Sequence, residues 1–341
     1  MKDKIAELSM KNLYEEYPYV EGFFSPLGIQ YEANNKNVKE MFNEMDDYFF
    51  EDIGIGREEI MEHFISFMDS MEEINKGLDQ NLKNITIVGG HNKCGNLEDV
   101  RVTIRPGEII CIVGHTGSGK SRLLADIEAL AQGDTPTGRQ ILINGEAPDE
   151  EVRFSLNNKL VAQLSQNMNF VMDLSVKEFI TMHASSRMIE NIAQCVEDIV
   201  KCANELSGEE FFMETSLTQL SGGQSRALMI ADTALLSISP IVLIDEIENA
   251  GVDRKKAIEL LVKKDKIVLM STHDPILALM GNKRIVIKNG GISKIIDTDL
   301  IEEKNLKTLQ SFDNKILMLR NLIRNGEKIN FDIKKYFTDL N

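Results

Sequence analysis

The stretch Gly114-His115-Thr116-Gly117-Ser118-Gly119-Lys120-Ser121 decides how this chain folds. It fits G-x-x-x-x-G-K-[ST], the pattern of a loop whose backbone wraps phosphate groups. The apolar run before it, Ile109-Ile110-Cys111-Ile112-Val113, predicts a buried parallel strand. The run after it, Arg122-Leu123-Leu124-Ala125-Asp126-Ile127-Glu128-Ala129-Leu130, predicts a helix. Glycines between strand and helix let successive N–H groups turn inward on phosphate oxygens, and the helix N-terminus adds its positive dipole end. Lys120 would then reach the terminal phosphates, and the Ser121 hydroxyl would ligate Mg²⁺. His115, Thr116 and Arg122 complete the phosphate-binding set. A glycine-rich turn that binds nothing is the competing reading, and the Lys-Ser pair with both flanks argues against it.

Leu220-Ser221-Gly222-Gly223-Gln224 opens an apolar helix further along. Ser-Gly-Gly before a helix is compatible with simple capping. Its place between a phosphate loop and an apolar strand ending in two carboxylates, Ile241-Val242-Leu243-Ile244-Asp245-Glu246, makes it diagnostic. Here the chain resembles the ATP-binding cassette (ABC) family, whose signature is this pentapeptide. The resemblance implies an ATP hydrolase in which two cassettes pack head to tail. Ser221, Gly222, Gly223 and Gln224 of one would close on ATP held by the other's phosphate loop. It also implies that Asp245 holds Mg²⁺, that Glu246 polarises the attacking water, and that His273, in Leu269-Met270-Ser271-Thr272-His273-Asp274, contacts the γ-phosphate.

Three family positions are less sharply marked. Gln166 matches the glutamine that links Mg²⁺ to the helical subdomain, with Gln163 as the alternative. Asp253, in Ala250-Gly251-Val252-Asp253, matches the residue that reaches across the dimer interface. Ile247 stands where the family usually has proline, and the loop carries one extra residue if Asp253 is that partner. His91 lies 23 positions before Gly114, where the family places an aromatic ring against adenine. It reads equally as a turn histidine in Gly89-Gly90-His91-Asn92, since imidazole stacks less well than larger rings.

Composition fits a cytoplasmic protein, with peripheral attachment at the inner face of a membrane as the variant placement. No run of about 18 apolar residues occurs, and Cys94, Cys111, Cys195 and Cys202 form no CxxC pair. The net charge of −16 is unevenly spread: residues 1–80 carry 19 Asp/Glu against 7 Lys/Arg. Such an acidic segment argues against nucleic acid as a partner.

The expected fold is α/β: a P-loop ABC cassette with a parallel-sheet core, an antiparallel β subdomain and a helical subdomain, preceded by an N-terminal helical domain. The expected boundaries are an acidic helical domain at 1–80, the cassette at 81–300 and a helical tail at 301–341. Within the first, Ile60, Phe64, Phe67, Met71, Ile74 and Leu78 alternate spacings of four and three. That is a heptad-like seam, which packs on its own domain or on a partner helix. Lys120 and Ser221 are 101 residues apart, and Ser221 and Asp245 are 24 apart, leaving no room for a long coiled-coil insertion. Two uses of ATP hydrolysis follow from the resemblance. One is the ATP-binding subunit of a transporter docked on a separate membrane permease. The other is a soluble motor that remodels a client enzyme through the N-terminal domain.

Overall fold

The computed structural model describes residues 5, 8–29, 36–77, 82–154, 159–165, 170–187, 189, 191–246 and 252–338. The chain forms two compact units, Met1–Asn81 and Leu82–Asn341.

The first unit is helical: α1 (Met10–Glu16), α2 (Glu21–Phe24), α3 (Val38–Glu44), α4 (Asp47–Ile53) and α5 (Arg57–Gly77). Helix α3 begins with a reciprocal cap, in which Asn37 Oδ1 accepts the Glu40 N–H and Glu40 Oε2 accepts the Asn37 N–H. Its core gathers Phe24, Phe42, Phe64, Leu13, Val20 and Val38. The Phe24 and Phe64 rings stack with centroids 5.7 Å apart. Among the described side chains of α5 the fully buried ones are Ile60, Phe64 and Met68, with Phe67 only partly covered. Over this stretch the full burial steps by four rather than by four and three, because a helix laid on a compact core buries a stripe wider than an a/d seam and takes in i+8 beside i+7. The Ile74 side chain and Leu78 lie outside the described residues.

The second unit begins with β1 (Ile85–Val88), β2 (Arg101–Ile104), β3 (Ile109–Val113), α6 (Lys120–Glu128), β4 (Gln140–Ile143), α7 (Glu150–Phe154) and β5 (Val161–Leu164). Next come α8 (Val176–Ser186), α9 (Ile192–Leu206), α10 (Gly222–Leu235), β6 (Ile241–Asp245), α11 (Arg254–Val262) and β7 (Ile267–Ser271). It closes with α12 (Pro275–Met280), β8 (Lys283–Lys288), β9 (Gly291–Asp297), α13 (Leu300–Arg324) and α14 (Ile333–Thr338). Strands β2-β1-β4 make a small antiparallel sheet, and β5-β6-β7-β3-β8-β9 make a larger one, parallel except for β9.

The central strands β3, β6 and β7 are buried on both faces and are accordingly near-continuous apolar runs. Ile110 and Ile112 point with Leu243 and Leu269 into a core shared with Leu123, Leu124 and Ile127 of α6. The alternate residues Cys111, Val242, Ile244, Val268 and Met270 face the other way, toward Ile180, Ile199, Ala227 and Leu228 of the helical part. Burial pushes the Cys111 thiol up to about 12, and it donates to the Leu277 carbonyl. Among the described residues no helix is long and apolar enough to cross a membrane.

Candidate active site

Strands β3, β6 and β7 run parallel and finish level, since Ile112 and Asp245 both pair with Ser271. Whatever follows each strand must emerge at this one edge, the carboxyl end where open α/β sheets bind ligands. After β3 comes the glycine loop, after β6 comes Glu246, and after β7 come Thr272 and His273. Topology alone thus brings together side chains from positions 120, 245, 246 and 273.

Lys120 is the first residue of α6 and is buried. Its Nζ donates to the Gly114 carbonyl at 3.0 Å and lies 3.1 Å from His273 Nε2. The same nitrogen of His273 is 3.4 Å from Glu246 Oε1. Ser121 Oγ donates to Asp245 Oδ2 at 3.4 Å. Glu246 occupies the left-handed region, with φ 52°, and its N–H donates to the Ser271 carbonyl.

The loop itself demands glycine at two points. A Cβ at Gly114 would stand 2.5 Å from the Ile287 carbonyl oxygen. One at Gly119, where φ is +113°, would stand 2.9 Å from the Gly290 Cα. The β8–β9 turn is thus pressed directly against the loop, and the Gly290 N–H donates to the Ser118 carbonyl. Ser118 Oγ is buried with no hydrogen-bond partner, and the first-turn N–H groups of a helix have none within the helix; both suit an anion with several oxygens. Ser121 and Asp245 offer only hard oxygen donors, the set that suits Mg²⁺.

A buried ionic cluster stands behind that turn. Arg139 meets Glu98 through Nε and Nη2 at 3.0 and 2.7 Å, Asp126 through Nη1 at 2.9 Å, and the Gly290 carbonyl at 2.9 Å. Burial raises the Glu98 carboxyl, but Arg139 and the N–H groups of Ile292 and Gly90 outweigh it and hold the group below its usual range. Lys93 adds a strut on the outside, its Nζ donating to the Gly117 carbonyl at 3.0 Å. None of Lys93, Glu98 and Arg139 was marked by a sequence motif, and Gly290 was legible only as part of the Asn289-Gly290-Gly291 hairpin turn. For Lys93 the signal was its position, two residues beyond His91.

The His91 ring lies against Gly138, 3.0 Å from where a Cβ would stand, and the His91 backbone N–H donates to the Thr137 carbonyl. Gln166 lies outside the described residues, as do Ile247, Ala250 and Gly251. Gln163 sits on β5, where its amide, oriented to donate, meets Glu128 Oε2 at 2.8 Å. Asp253 is exposed and caps α11, its carboxylate accepting the Lys256 N–H. Ser221 caps α10 in a reciprocal box with Gln224, and Gln224 Nε2 reaches the Glu209 and Glu210 carbonyls. Ser221 and Gly222 are exposed at the tip of that helix. His115, Thr116 and Arg122 are exposed around the phosphate loop.

The ABC transporter family model matches residues 97–249. An uncharacterized ABC transporter ATP-binding protein of Methanocaldococcus jannaschii is 55% identical over 251 residues, 73% of this chain and 95% of that protein. The macrolide export ATP-binding/permease protein MacB of Campylobacter jejuni is 30% identical over 252 residues, 70% of this chain but only 38% of its own length. A solved ATP-binding subunit of an ABC transporter superposes with a TM-score of 0.51 at 19% identity, covering 65% of this chain and 93% of that one, a likeness of fold. With a glycine loop, Lys120, two carboxylates and a histidine at one sheet edge, and a relative matched over almost its whole length, the chain belongs to the ABC transporter ATP-binding proteins and is an ATP hydrolase.

Proposed function

We propose that the chain hydrolyses ATP at a composite site shared by two copies and passes the resulting motion to a membrane permease. The observation that carries the reading is the convergence of Lys120 and Glu246 on His273 Nε2, at 3.1 and 3.4 Å, at the edge where β3, β6 and β7 end. The exposed, capped tip of α10 supports the shared site, because Ser221 uses its oxygen as an acceptor within the cap and keeps its O–H to donate to a phosphate. Ser121 and Asp245 would hold Mg²⁺, with Gln166 as a further ligand; the ion would neutralise charge on the phosphate oxygens.

The protein's own groups divide the work. Lys120 turns its ammonium from the Gly114 carbonyl and His273 toward the β- and γ-phosphate oxygens. Glu246 orients water for in-line attack, and His273 holds the γ-phosphate from the side away from the loop. Glu246→Gln should retain ATP binding, slow turnover, and accumulate an ATP-bound dimer visible by size exclusion. Equal turnover in this variant and the wild type would remove Glu246 from the site. Mixing inactive Lys120→Ala and Ser221→Arg chains tests sharing: partial recovery of activity is expected, through the one site retaining both an intact loop and an intact signature.

The soluble-motor reading rests on one observation, that residues 1–81 close a core of their own around Phe24, Phe42 and Phe64. Purification from cells with and without detergent separates the two, yielding a permease or a soluble client.

A further inference from the structure

Arg254 is the first residue of α11 and follows Asp253 directly. One guanidinium nitrogen, Nη1, pairs with Asp274 Oδ2, and the other, Nη2, lies 3.2 Å from Asp313 Oδ2 on α13. Asp274 is the neighbour of His273. Its second oxygen, Oδ1, caps α12 by accepting the Ile276 and Leu277 N–H groups, and its own N–H donates to Thr272 Oγ1. The Thr272 N–H ties the start of this loop to the Ile112 carbonyl, and at its far end Asp274 is held both by the α12 cap and by Arg254.

Asp313 joins a different element to that tie. It sits midway along α13, 59 residues from Arg254 in sequence, and α13 packs on α12. Arg254 is about a quarter exposed, so the pairing is only partly screened by solvent. A guanidinium held at both forks has its plane fixed, whereas one held by a single carboxylate can pivot. Losing Asp313 would let Arg254, and with it Asp274 and the 272–274 loop, relax away from the position that places His273 Nε2 3.1 Å from Lys120.

We infer that Asp313 and Arg254 are positioning residues through which the C-terminal helix α13 fixes the histidine loop, so that hydrolysis depends on α13 although α13 contributes no group to the site. The inference rests on the role proposed for His273. It requires no change in nucleotide binding, because the glycine loop, Lys120 and Ser121 are built on other elements.

The test is steady-state ATP hydrolysis by the full chain with Asp313→Ala, Asp313→Glu, His273→Ala and, as a charge control on an exposed part of the same helix, Glu303→Gln. Asp313→Ala is expected to lower kcat between about 2-fold and about 30-fold, with KM for ATP within about 2-fold of wild type and an unchanged melting temperature. Asp313→Glu should recover most of the loss, and Glu303→Gln should match wild type. Unchanged kcat in Asp313→Ala, or a fall in kcat accompanied by a rise in KM and a lower melting temperature, overturns the inference and leaves the role of His273 standing. Full turnover in His273→Ala overturns both.

Discussion

Lys120 Nζ and His273 Nε2 stand 3.1 Å apart, a donor-only ammonium against an imidazole nitrogen able to accept. Each side chain thereby keeps the other in place at the sheet edge, and a γ-phosphate entering between them would exchange one contact for two. The two groups should nevertheless fail differently. Lys120→Ala removes a cation that acts on bound ATP as well as on the transition state, so affinity itself should fall. His273→Ala should leave affinity within a few-fold and cut kcat by about 100-fold or more, the usual scale for losing a positioned group at the reacting atoms. Nucleotide titration alongside single-turnover hydrolysis separates these effects.

Gly119→Ala should abolish the response to nucleotide without unfolding the protein. The methyl would meet the Gly290 Cα at 2.9 Å, at a φ of +113° that L-residues avoid. The strain, about 1–3 kcal/mol, falls on the loop and the β8–β9 turn rather than on the core strands. A melting experiment reads it directly. Wild type should gain about 2.7 kcal/mol at 100 times its Kd for nucleotide, and the variant should gain almost nothing.

Acid should loosen the β subdomain through Glu98. Its carboxyl is held below the ordinary 4.5, so the folded state is favoured by its ionised form. That contribution is complete above the unfolded value and disappears as pH falls through the lower, folded one. Urea midpoints should therefore drop below about pH 4.5, and Glu98→Gln should flatten that drop. Arg139→Met is the harsher change, since it leaves two buried carboxylates facing each other without a cation. A loss of about 3–5 kcal/mol is expected at neutral pH, measured by the same unfolding curves.

What was legible in the sequence was contiguous. The phosphate loop, the signature and the Asp245-Glu246 pair each lie within eight residues, so local spacing carries their chemistry, and apolar runs of four or five mark the strands that deliver them. The supports of the loop are of another kind. Glu98, Asp126, Arg139 and Gly290 meet across separations of up to 151 residues, and Arg254 meets Asp313 across 59. No periodicity encodes such meetings; they appear only once β3 is known to lie between β7 and β8. The stripe on α5 was visible as amphipathic, but Met68 was missed because an a/d template is narrower than the face a compact core buries, which takes in i+8 as well.

A chain beginning at Leu82 should fold and hydrolyse ATP. The core of the first unit, built on Phe24, Phe64 and Met68, is its own, as is the core beneath the phosphate loop, built on Ile110, Leu124 and Ile285. Basal turnover within about 3-fold of the full chain is expected, with a retained nucleotide-dependent rise in melting temperature. An insoluble product would instead make the first unit a structural part of the cassette.

Glu246 carries the left-handed backbone of a residue type that does not favour it, at a standing cost of roughly 1–2 kcal/mol. Against a total stability of about 5–15 kcal/mol, that is a sizeable fraction committed at one position. Glycine or asparagine would relieve it, so in a library screened for heat resistance alone the winning clones should lose this carboxylate. Its persistence under natural selection would measure what turnover is worth to the cell, and laboratory evolution of this chain would need an activity screen to keep it.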